Sequence, residues 1–103
     1  MLMSDISVES LANNFNQKIV SKGFFKGSLR YFSPYQSSGL MQIDREVVGL
    51  VLFGELSIEL SNTESLVGAG FEFFLPPNVC FHATARHNGA HFIVAIQRMN
   101  LQS

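Results

Sequence analysis

Hydrophobic and polar positions in this chain alternate in short runs broken by turn residues. From Gly54 onward the alternation is strict: Leu56, Ile58 and Leu60 share one face, Glu55, Ser57 and Glu59 the other. That is a strand with one side on a core and one in water. Residues 47–53 are continuously apolar, as expected of a strand covered on both faces. Residues 19–25, 29–35 and 40–43 read as further strands, and 92–96 as a buried closing strand. Turn chemistry separates them at Lys26-Gly27, Ser37-Ser38-Gly39, Asp44-Arg45-Glu46, Ser61-Asn62-Thr63, Gly68-Ala69-Gly70 and Pro76-Pro77-Asn78. Asn88-Gly89 is the strongest hairpin signal, since both residues tolerate positive φ. Roughly eight or nine short strands at turn intervals of about 8–12 residues predict an all-β barrel or sandwich. Helix is expected to be minor: residues 7–14 offer one turn at most, weakened by Asn and Ser. The predicted layout is a single domain over residues 1–103, an arm at 1–16 and a barrel at 17–98.

Composition narrows the function classes. At 103 residues with 47% hydrophobic content, the chain suits one core. Ten Phe supply more apolar surface than a barrel this small readily buries alone, so a homodimer is expected. The net charge is −1 and the basic residues are scattered, which argues against a nucleic-acid polymer or a membrane surface as partner. Cys80 is the lone cysteine, excluding an intrachain disulfide and predicting a reducing, cytoplasmic setting. No apolar run is long enough for a membrane span, and no basic segment followed by a hydrophobic stretch opens the chain.

Residues 66–82 carry a glycine-bounded turn, a phenylalanine-rich strand, the Pro76-Pro77-Asn78 turn and then His82. This segment resembles the second sequence motif of cupins. The resemblance implies a cupin-like antiparallel β-barrel of jelly-roll type. Metal-binding cupins take His-x-His and Glu from a first motif, whereas residues 37–53 contain no histidine, and His82, His87 and His91 all fall late in the chain. We therefore expect no metal and no cofactor. The usual cupin spacing gives the last ligand position to Phe81, and a step of one residue along a strand reverses the face, so His82 is expected to look outward. Phosphate-cradling loops and nucleophile elbows are absent from the sequence, and Cys80 reads as a small hydrophobe.

A second resemblance runs along the whole chain. Ile6-Ser7-Val8, Ala12-Asn13, Phe15 and Lys18-Ile19-Val20-Ser21 resemble the opening of the short cupin-type pyrimidine/purine nucleoside phosphorylases. Gly54-Glu55-Leu56-Ser57-Ile58-Glu59-Leu60 resembles a strand of that family, and Ala69-Gly70, Phe73, Pro76, Asn78 and Phe81 a later segment. Leu40 and Met41 stand where the family has Glu and Tyr. The resemblance implies a homodimeric transferase that cleaves nucleosides with phosphate to free base and ribose 1-phosphate, a pentosyl transfer without metal.

Phosphorolysis passes through an oxocarbenium-like state, so its site must hold phosphate against the sugar and hydrogen-bond the departing base. Arg30, Arg45 and Arg86 are the candidate phosphate ligands; Gln42 and Glu46 are candidates for the ribose hydroxyls. His82 and His91 are the candidate catalytic donors to the base. Phe71, Phe73, Phe74 and Phe81 are candidates to stack on it, each with a core or interface role as its plain structural reading. Two other classes stay open: a metal-free cupin that binds a small molecule without catalysis, and a metal-dependent enzyme using His82 and His91 in an unusual arrangement.

Overall fold

A computed structural model describes residues 2–98, with side chains from residue 8 onward. The elements are α1 (Leu2–Ser21), β1 (Ser28–Phe32), β2 (Val47–Leu60), β3 (Thr63–Gly68), β4 (Glu72–Leu75) and β5 (Phe81–Ile96). All strand pairs are antiparallel. The order is β1-β5-β2-β3, with β4 also on β2. The architecture is the expected antiparallel β-barrel, but with five long and short strands in place of eight or nine. The difference lies in β2 and β5, which are 14 and 16 residues long and each span two of the expected strands. Residues 47–50 of β2 pair with β4, while residues 55–60 pair with β3.

A bulge lets the β2–β5 ribbon bend without breaking. Gly54 pairs with Ala90 and Leu56 with Ala85, so one residue of β2 faces four of β5, residues 86–89. Asn88-Gly89 is therefore not a hairpin: both flanks of the pair continue against the same strand, and the chain does not reverse. Its turn chemistry is used inside the bulge, where Gly89 has φ 75° and Gly54 φ 78°. Ser61-Asn62, by contrast, is a tight turn joining β2 to β3, with Leu60 opposite Thr63.

The apolar run at the start of β2 is buried on both faces, as its composition predicts. Val47 and Val51 enter the barrel core with Leu56, Ile58, Val67, Leu75, Phe81 and Phe92. Leu50 and Leu52 join Ile93 and Ala95 on the outer face, beneath Phe15, Ile19 and Phe24.

That outer cover corrects the reading of the first 25 residues. They form a 20-residue helix, not an arm with a single turn, and the strand expected at 19–25 is the helix end and its exit. Val8, Leu11, Ala12, Phe15 and Ile19 recur at helical spacing, and this stripe packs on β2 and β5. Tertiary burial outweighs the poor helix propensity of the Asn and Ser residues. Glycine ends the helix. The Gly23 N–H donates to the carbonyl of Val20 and the Phe24 N–H to that of Ile19, with Gly23 at φ 95°, and Ile19 and Phe24 close the motif as buried neighbours. Residue 1 and residues 99–103 of the expected unit lie outside the described residues.

The segment at 40–43 is likewise not a ladder strand; Met41 makes a single bridge to Phe81. After β4, Asn78 takes φ 64° and donates its N–H to Ile43 O at 2.7 Å, so the Pro turn ties this segment to the barrel. Phenylalanine is divided between the two environments: Phe15, Phe24, Phe81 and Phe92 are buried, whereas Phe25, Phe53, Phe71 and Phe74 are exposed.

Candidate functional site

Strand alternation decides what faces the hollow of the barrel. On β5 the residues Phe81, Ala83, Phe92, Val94 and Ile96 face in, and on β1 Ser28, Arg30 and Phe32 do. They enclose a cavity of about 520 Å³, a common size for a small-ligand site. Val47, Leu56, Ile58, Phe73 and Leu75 complete the apolar wall. Gly49 makes room for part of it. The Phe73 ring lies directly over this glycine, with Cζ 2.0 Å from where a Cβ would stand. Phe92 holds the opposite side in edge-to-face contacts with Phe32 at 5.2 Å and Phe73 at 6.3 Å.

Polar groups reach the cavity at few places. Lys26, Ser28 and Arg30 follow one another at two-residue spacing on the approach to β1 and along it, and all three are exposed to solvent as well as lining the cup. Ser38 sits across from them, with its hydroxyl donating to Gly39 O at 2.7 Å and accepting from Ala83 N–H at 3.0 Å. Among the described residues, no Asp, Glu, His or Cys lines this cavity. Among the described residues, no three His, Cys, Asp or Glu side chains are grouped closely enough to hold a metal ion.

No family model matches the chain, and no curated protein sequence does. Solved structures do. An RmlC-like cupin from Shewanella frigidimarina superposes with TM-score 0.65 at 20% identity, covering 74% of this chain and 68% of that one. A cupin superfamily protein from Desulfitobacterium hafniense gives TM-score 0.67 at 14% identity over 72% and 67%. The fold is that of the cupins. KdgF from Halomonas sp. is also similar, with TM-score 0.61 and 18% identity over 73% and 70%.

The cupin fold separates the sequence candidates. Among the seven polar candidates, Arg30 alone lines the cup. His82 lies on the outer face of β5 between the inward Phe81 and Ala83, with Nδ1 3.4 Å from Glu59 Oε1. His91 is outward too, its ring 4.6 Å from Tyr31 and 5.7 Å from Phe53. Gln42 points away from the cup between Met41 and Ile43: its Nε2 donates to Asn78 O at 3.3 Å and its Oε1 accepts from Cys80 Sγ at 3.6 Å. Arg45 is 3.9 Å from Asp44. Glu46 exchanges backbone bonds with Gln97, its N–H donating to Oε1 at 3.5 Å and its carbonyl accepting at 2.9 Å. Arg86 lies at the bulge, in a separate pocket of about 220 Å³ with Gly54, Glu55, His87 and Asn88. The seven candidates are therefore not assembled around one space.

Of the aromatic candidates, Phe73 and Phe81 line the cup and Phe71 and Phe74 do not. Sequence reasoning missed Lys26, Ser28 and Ser38, which it read as turn or strand residues. The usable signal was the period-two series Lys26, Ser28, Arg30, Phe32, which puts three donors and an aromatic ring on one strand face.

Membrane crossing by helix has no support: no described helix is long and apolar enough to span a bilayer.

Proposed function

We propose that this cupin-fold protein binds an apolar small molecule in the barrel cup without transforming it. The observation that carries this reading is the wall itself. Its apolar side chains surround a cavity of about 520 Å³, and among the described residues the lining offers no carboxylate, imidazole or thiol to act as acid, base, nucleophile or metal ligand. An apolar guest replaces water against Phe73, Phe81, Phe92 and Val94, and each buried methylene contributes about 0.8 kcal/mol. Thermal unfolding with octanol tests the reading. Saturating ligand raises the midpoint of the native protein and does not raise that of an Ala83→Phe variant, whose ring fills the cup. Equal shifts in both proteins, or none in either, refute it.

Nucleoside phosphorolysis is a second reading, favoured by one observation: Lys26 and Arg30 bring cationic donors to the cup, as phosphate binding needs. The ribose and the departing base find fewer partners there, with only Ser28 and Ser38 as hydroxyl donors. Phosphate-dependent release of free base from uridine or inosine decides for this reading, and its absence at high enzyme concentration decides against it.

A further inference from the structure

The charged side chains that line the cup among the described residues are of one sign, and we infer that its guest is a single-headed amphipathic anion, with a hydrocarbon or aryl body in the cup and a carboxylate or phosphate head on Lys26 and Arg30. The inference rests on the proposal of an apolar binding cup and specifies which apolar molecules that cup takes.

Three observations carry it. Lys26, Ser28 and Arg30 all line the cup, Lys26 just before β1 and Ser28 and Arg30 two residues apart on it, about 6.7 Å for extended chain, so the two long cationic side chains flank the serine hydroxyl and can close on one head group. Among the described residues, neither cation is in an ion pair, whereas Lys18 pairs with Glu72 and Arg45 with Asp44. Among the described residues no acidic side chain lines the cavity: Glu59 faces His82, Glu64 bonds Ser57, Glu72 pairs with α1, and Glu55 lies at the bulge. An anion entering the cup therefore meets two cations and no opposing carboxylate, while a cationic amphiphile meets only repulsion.

The apolar body has a defined place. Phe25, Met41 and Ile96 line the open side and are each partly exposed, so the hydrocarbon passes between them to reach Phe73 and Phe92. Arg30 presents a planar fork suited to a bidentate carboxylate or phosphate contact, and Lys26 adds a mobile point charge.

The test is a calorimetric titration of the whole protein with octanoate, octyl phosphate, octanol and octylamine. The expected order places at least one anion about tenfold tighter than octanol, with octylamine weakest. The tighter of the two anions identifies the head group. Raising the salt concentration weakens the anion and leaves octanol unchanged. In a Lys26→Ala/Arg30→Ala variant the anion loses its advantage over octanol. Both residues are exposed, and circular dichroism of the variant checks that the barrel is intact. Octanol binding as tightly as both anions in the native protein overturns the anion assignment and leaves the apolar cup standing. If no member of the series binds, both fall.

Discussion

A Cβ built on Gly54 would stand 2.0 Å from the carbonyl oxygen of Gly89, so the backbones of β2 and β5 approach closely at these two glycines of the bulge. Both have positive φ, which L side chains adopt only with strain.

Replacement of Gly54 by Ala meets that carbonyl directly and also strains the backbone. We expect a loss of about 2–4 kcal/mol, read as a lower midpoint in urea unfolding. A variant of native stability contradicts the close approach.

Gly49 and Phe73 form a second coupled pair, this time within the cup. Gly49→Ala drives a methyl group into the Phe73 ring and is expected to cost about 1–3 kcal/mol. In a Phe73→Leu background the same substitution costs less, because the ring that it strikes is gone. Unfolding of the single and double variants gives the coupling, and strictly additive effects contradict the contact.

Helix α1 is held by its apolar stripe, so Phe15→Ala is expected to destabilise the protein by about 3–5 kcal/mol. Chemical denaturation followed by circular dichroism checks the value. A loss under about 1 kcal/mol shows that the helix does not dock through this ring.

Arg45 and Arg86 lie away from the cup, and replacing either by Ala is expected to leave guest affinity unchanged and stability within about 0.5 kcal/mol. Arg30→Ala weakens binding of the anionic guest. A matching loss for Arg86→Ala places the guest at the bulge pocket.

Much of the fold was legible because strand patterning depends on nearest neighbours. Leu56, Ile58 and Leu60 declare their face by alternation alone, and residues 47–53 announce cover on both sides without naming the cover. That cover is α1, whose stripe of Val8, Leu11, Ala12, Phe15 and Ile19 was diluted by Asn13, Asn14 and Asn16, residues that are poor helix formers when isolated. Packing on Leu50 and Ile93, far away in sequence, stabilises a helix that local propensity disfavours. Gly89 takes the expected positive φ while Asn88 does not, yet a positive φ serves a hairpin or a bulge, and the choice depends on how the flanking residues pair. The site was less legible. Chemistry-bearing residue types drew attention to His82 and His91, but one step of register sends a side chain to the opposite face, and both look outward. Arg30 was singled out as a cation that could hold phosphate, and register happened to turn it inward; Lys26 and Ser28 line the same cup and lack any motif to announce them.

The central claim is that apolar guests occupy the barrel interior, and methyl resonances report this most directly. With isoleucine, leucine and valine methyl groups labelled, titration of octanoate is expected to shift Val47, Leu56, Ile58 and Val94, which line the cup, and to leave Leu50, Leu52 and Ile93 beneath α1 unmoved. Shifts confined to the residues beneath α1, or cup methyl groups that stay in place while octanoate binds, contradict the account.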